Sequence, residues 1–196
     1  MFLNVLIEEY HRVYHNIEDE NSKMVCLRHE MDNGTVDAFE LLKACVKNRH
    51  FDFLHLKRDE KACLINKVAK KLKESNVRYN NFDDFEALYQ NIEELLGQER
   101  GIGNLMLYDI TRMIGYAHKP SIIPIQYVYL QSGAKIGARK LLNIKRVGRK
   151  LPINTLKKYF PNEDSQHIED ILCIYKDDFN SKRHNGHSIH GCINMM

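Results

Sequence analysis

Apolar residues recur at steps of three and four along most of the chain, the period that lines up one face of an α-helix. Phe2, Val5, Leu6, Tyr10 and Val13 make one such face, and Phe39, Leu42 and Val46 another. In "KRDEKACLINKVAKKLKES", Ala62, Ile65, Val68, Ala69 and Leu72 form a stripe among lysines, the pattern of a half-exposed helix. "FEALYQNIEELL" follows two candidate N-caps, Asn81 and Asp83, puts Phe85, Leu88, Ile92 and Leu95 on its apolar side and stops at Gly97. Leu105, Tyr108, Ile110, Met113 and Ile114 predict a helix of three turns that ends at Gly115. "GAKIGARKLL" and "INTLKKYF" predict short helices, and "EDSQHIEDILCIYKD" predicts a longer one with Ile168, Ile171, Leu172 and Tyr175 in phase.

"SIIPIQYVYLQ" is rich in β-branched and aromatic residues, but Pro124 near its middle suits a helix start or a sheet edge, and a short helix is expected there. From Phe179 onward the periodicity fails. No repeat or low-complexity linker divides the chain. The expectation is an all-α protein of about eight helices. It comprises one helical domain over 1–180, in which a division into lobes would fall between 96 and 97, and a mobile tail over 181–196.

At 196 residues and 43% hydrophobic content the chain has enough apolar material for one ordinary core. The opening "MFLNVLI" gives way at once to "EEYHR", and no later run is long and apolar enough to span a bilayer, so a cytoplasmic protein without a membrane partner is expected. Five cysteines without a C-x-x-C pair fit reduced thiols. The nucleophile-elbow, phosphate-loop and H-E-x-x-H patterns are absent, and no cofactor is expected. "RHNGHSIHGC" gathers His184, His187, His190 and Cys192 at a spacing a transition metal accepts if the tail folds back. Gly186 and Gly191 oppose the helix that would align them, so the stretch reads as a polar tail and no metal is assigned.

Charge is distributed unevenly along the chain. The net charge is only +3, yet eleven of the 29 Lys and Arg residues, and none of the 26 Asp and Glu, lie between Ile110 and Asn162. Elsewhere 18 basic residues face 26 acidic ones. Soluble surfaces normally mix the two signs, because an unbroken run of one sign repels itself unless an anionic partner offsets it. The densest part, "AKIGARKLLNIKRVGRK", holds Lys135, Arg139, Lys140, Lys145, Arg146, Arg149 and Lys150, with Gly133 before it and Gly137 and Gly148 within it, so that a polyanion can approach the backbone. The competing reading pairs these charges with carboxylates such as Asp83, Glu93 or Glu163 in an internal network. Tyr108, Tyr127 and Tyr129 are candidates for base stacking, although tyrosines at such spacing are more often core or interface residues.

"QERGIGNLMLYDITRMIG" adds a second phosphate-compatible feature. Gly101 and Gly103 bracket Ile102 and can take positive φ, and a helix start follows with its unsatisfied N–H groups. Between "NIEELL" and "LMLYDITRMI", this Gly-apolar-Gly turn resembles the helix-hairpin-helix motif, in which such a hairpin binds the DNA backbone without reading bases. The resemblance covers about twenty residues, matches Gly101, Ile102 and Gly103 and implies phosphate contacts at the two glycines; Arg112 and the basic segment are added to the candidate contacts by their charge. Helix-hairpin-helix DNA glycosylases also carry an aspartate further along, and the matching stretch "SIIPI" has no carboxylate. Asp109 is the nearest acid, a candidate catalytic carboxylate or a partner of Arg112.

The function expected from these residues is nucleic-acid binding, DNA ahead of RNA, through the glycine turn and the basic segment. The alternatives are a DNA-processing enzyme of the glycosylase type and a helical module whose basic face meets an acidic protein. The oligomeric state is open.

Overall fold

The computed structural model describes residues 2–14, 58–75, 82–117 and 122–179. Seven helices and one two-stranded ribbon are found among them, so the chain is mainly helical as its periodicity predicts. The contacts divide it into two units, Met1–Ile17 with Pro124–Met196, and Glu18–Ile123.

The first unit begins with α1 (Phe2–Tyr14). Leu6 and Tyr10 of this helix are buried, whereas Val5, assigned by spacing to the same face, is 44% exposed. Leu6 and Tyr10 are four apart and lie over one another, while Val5 is rotated by about 100° from Leu6 and misses the core. In the second unit α2 (Arg58–Glu74) buries Val68, Ala69 and Leu72. The Ala62 and Ile65 side chains, the Phe39 to Val46 pattern and the tail from 180 onward lie outside the described residues.

The next helix, α3 (Phe85–Leu96), is capped by Asp84 rather than by Asn81 or Asp83. The Ala87 N–H donates to the Asp84 carboxylate at 2.8 Å, which satisfies one of the donors a helix start leaves open. The buried face is Phe85, Leu88, Ile92 and Leu96, and Leu95 sits half-buried beside it. A step of four from Ile92 keeps 96 in phase. The following helix, α4 (Asn104–Ala117), packs on α3. Leu105 points outward at 39% exposure, and Met106, Leu107, Ile110, Met113 and Ile114 are buried. Gly115 lies inside this helix instead of ending it: a Cβ there would collide with the Ile122 carbonyl, because the chain returns closely enough for Ile122 N–H to donate to Gly115 O at 2.8 Å.

Residues 127–129 overturn the helix expected in "SIIPIQYVYLQ". They form β1 (Tyr127–Tyr129), paired antiparallel with β2 (Lys150–Pro152) in the register Tyr127 with Pro152, Val128 with Leu151 and Tyr129 with Lys150. Leu130 N–H to Arg149 O at 2.7 Å and Ile153 N–H to Gln126 O at 2.9 Å close the ladder at its two ends. Pro124 precedes the ladder, where its missing N–H costs no bond. The pairing partner lies more than twenty residues away and has no strand pattern of its own, so local periodicity does not announce it.

Between the strands runs α5 (Ser132–Leu142), and after β2 come α6 (Ile153–Lys157) and α7 (Ser165–Ile174). Asp164 caps α7 by accepting the His167 N–H at 2.8 Å. Ile168, Ile171, Leu172 and Tyr175 are all buried, as their spacing predicts, against Val128, Ala134, Ala138 and Phe160. α5 and α7 cross in close contact: a Cβ on Gly137 would enter the Leu172 carbonyl, and one on Gly133 would meet the Cys173 sulfur. The glycines of "GAKIGARK" therefore serve helix packing, not the approach of a polyanion. Cys173, which forms no disulfide, is a half-buried thiol at that crossing.

Candidate functional site

The basic segment is built on the exposed side of α5 and on the loop after it. Lys135 and Arg139, one turn apart, share a helical face. Arg139 is exposed and Lys135 half-buried. At the helix end Asn143 takes a left-handed conformation with φ 53°, its N–H turned back to the carbonyls of Arg139 and Lys140, and Ile144 N–H reaches Arg139 O at 3.0 Å. This cap satisfies the last carbonyls and directs the chain outward. The loop it releases exposes Ile144, Lys145, Arg146, Gly148 and Arg149, with Val147 half-buried.

Glu163, one of the carboxylates of the competing reading, is bound by His11 and His167 instead of by this segment's side chains. Lys140 pairs with Asp177 at 2.9 Å, and that contact, through its hydrogen bond from Lys140, holds the Asp177 carboxyl below the usual range. Among the described residues no carboxylate lies within ion-pair distance of Lys135, Arg139, Lys145 or Arg146. Lys150 lies over the tyrosines of the ribbon, its Nζ 4.2 Å from the Tyr127 ring centroid and 5.7 Å from that of Tyr129. Tyr129 and Tyr108 are 2% and 1% exposed, which makes them core residues, and Tyr127 alone of the three stacking candidates is half-buried.

The glycine turn belongs to the other unit. Gly101 takes φ 95°, the left-handed region, while Gly103 does not. Both are exposed and Ile102 between them is buried, which anchors the turn. Ile102 N–H donates to Glu99 O at 3.0 Å, and Gly103 O accepts the Leu107 N–H at 3.0 Å, opening α4. A Cβ on Gly103 would meet nothing within 4 Å. Glu99, the acid of this turn, is bound by both Lys67 and Lys71 of α2. Hydrogen bonds from Lys67 and then Lys71 hold its carboxyl below the usual range.

Arg112 lies 5.5 Å from the Tyr108 ring centroid, one turn further along α4. Asp109 is half-buried on the same helix. His118, Lys119 and the histidines of the tail, His184, His187 and His190, lie outside the described residues, as does Cys192. Among the described residues no group of three or more His, Cys, Asp or Glu has the arrangement to hold a metal ion.

The periodicity gives no warning of a polar clasp between α1 and the start of α7. The Glu163 carboxylate, 8% exposed, meets His11 Nε2 at 2.9 Å with one oxygen and His167 Nδ1 at 3.3 Å with the other. The Tyr10 hydroxyl donates to Asp170 at 3.1 Å, and the Tyr10, His11 and His167 rings meet edge to face at centroid distances of 5.3 to 5.7 Å. Burial first, and then Asp170, push the Tyr10 phenol above its ordinary range. His11 and Glu163 stand 152 positions apart, so only tertiary folding joins them.

No protein-family model, characterised protein or solved structure matches the chain. No helix among the described residues is long and apolar enough to cross a membrane. The functional reading therefore stands on the residues themselves.

Proposed function

We propose that the protein binds nucleic acid by its phosphate backbone, with Arg139, Lys145, Arg146 and Arg149 as the principal contacts. The observation that carries this reading is the exposed loop Ile144 to Arg149, set after the Lys135 and Arg139 face in a stretch without a single carboxylate from Ile110 to Asn162. Concentrated like charge on an exposed segment is unfavourable alone and favourable beside a polyanion, whose counterions it releases. Such contacts position a strand without reading its sequence.

The α3–α4 turn is a second contact in this proposal, tested separately. Gly101 and Gly103 are exposed, the first turn of α4 carries no acid, and the Glu99 charge is met by Lys67 and Lys71. A phosphate is favoured at such a helix start.

Fluorescence anisotropy with labelled duplex and single-stranded DNA tests the reading. If the four cations each engage one phosphate, duplex affinity should fall with a logarithmic salt slope of about −3.6, roughly 150-fold between about 50 and about 200 mM salt. Exchanging Arg139 and Arg146 together for Glu should abolish binding and move folding stability by no more than about 0.5 kcal/mol, since both side chains are exposed. A folded parent protein that binds neither DNA at the lower salt ends the proposal.

A further inference from the structure

The β1–β2 ribbon places one aromatic ring at the foot of the basic loop. β2 begins at Lys150, directly after Arg149, and its partner strand begins with Tyr127. Tyr127 and Tyr129 share a face of β1, because side chains two apart point the same way. Tyr129 is opposite Lys150 and buried, and Tyr127 is diagonal to Lys150 and half-buried. Tyr127 and Lys150 are both half-buried, and the Lys150 ammonium lies 4.2 Å from the ring centroid, so the face it covers is reached by displacing one flexible lysine side chain. The backbone that carries the ring is held in place: Ser165 Oγ, at the start of α7, donates to the Tyr127 carbonyl, and Ile153 N–H to Gln126 O ties the adjacent residue.

We infer that Tyr127 is a stacking platform for an unpaired base, and that the basic loop consequently prefers single-stranded over duplex nucleic acid. This rests on the phosphate-binding reading above. In the free protein Lys150 occupies the ring face. A cation over an exposed aromatic ring is held more weakly than a stacked base, so an unpaired base displaces it and the ammonium moves to a neighbouring phosphate. Lys145, Arg146 and Arg149 in the same loop hold the strand on either side of the stacked nucleotide. Bases inside a duplex present no open face to the ring, and a duplex gains only the phosphate contacts.

The test compares labelled oligonucleotides of one length as a single strand, a duplex and a strand whose bases are replaced by abasic sites. It uses the full-length parent, Tyr127→Leu, Tyr127→Phe and Arg146→Glu. The expected result is that the abasic strand binds about 5- to 150-fold more weakly than the normal single strand, the range for loss of one base stack. Tyr127→Leu should lower single-strand affinity to the abasic level without changing duplex affinity, and Tyr127→Phe should restore it. The abasic comparison uses the parent protein and stays decisive if Tyr127→Leu does not fold. Equal binding of normal and abasic strands, with Arg146→Glu still weakening both, overturns the platform and leaves phosphate binding standing. Absence of binding by the parent to any of the three overturns both.

Discussion

His11 Nε2 lies 2.9 Å from Glu163 Oε1, and this contact fastens the first helix of the chain to the start of α7. Glu163 is buried, and His167 holds its other oxygen at 3.3 Å. Removing one donor from a buried acceptor exposes the cost of its desolvation, about 1 to 3 kcal/mol. His11→Ala should destabilise the protein by that amount in chemical denaturation. A cycle with Glu163→Gln should return a coupling of at least about 0.5 kcal/mol, as contacting residues do. Additive effects would show that the contact contributes nothing.

Tyr10 makes the same junction sensitive to alkali. Its phenol is raised by burial and by Asp170, so the folded protein keeps a proton that the unfolded chain releases near the ordinary tyrosine value of about 10. The stabilisation is complete below that pH and falls as the pH rises above it. Absorbance at the tyrosinate band should show tyrosine ionising together with unfolding, and Tyr10→Phe should reduce that late step by the absorbance of one tyrosine.

Glu99 acts in the opposite sense. Its carboxyl is lowered by hydrogen bonds from Lys67 and Lys71, so its contribution is present above the ordinary glutamate value of about 4.3 and is lost as the pH falls through the lowered folded value. Glu99→Gln should mimic the acid state at neutral pH. Hydrogen exchange at the Ile102 amide, which donates to Glu99 O, should then speed up, while exchange in α7 stays unchanged.

The glycines separate packing from binding. Gly137→Ala forces a Cβ into the Leu172 carbonyl and should cost about 1 to 3 kcal/mol, because backbone on both helices has to give. Gly101→Ala should cost about 1 to 2 kcal/mol through its positive φ. Gly103→Ala meets nothing within 4 Å and should leave the melting temperature unchanged. A drop in DNA affinity for Gly103→Ala would support a phosphate at the turn, and unchanged affinity would remove the turn from the interface.

The order of residues alone is enough for the helices whose apolar residues repeat strictly. α3 and α7 stand almost where their patterns place them, because a stripe at helical spacing has one way to be buried. It also determined that positive charge is concentrated between Ile110 and Asn162. Contacts between distant parts of the chain supply what local pattern does not encode. β1 exists because Lys150 to Pro152 completes its hydrogen bonds from far along the chain, and that pairing outweighs the local preference read into "SIIPIQYVYLQ". Gly133 and Gly137 stand in the basic segment yet serve the crossing with α7, a need visible only once Leu172 and Cys173 are beside them. Tyr108, Tyr127 and Tyr129 look alike as letters, and burial alone distinguishes the half-exposed Tyr127 from the other two. The clasp of His11, Glu163 and His167 has no sequence signature, because its first member comes from one end of the chain and its partners from the other.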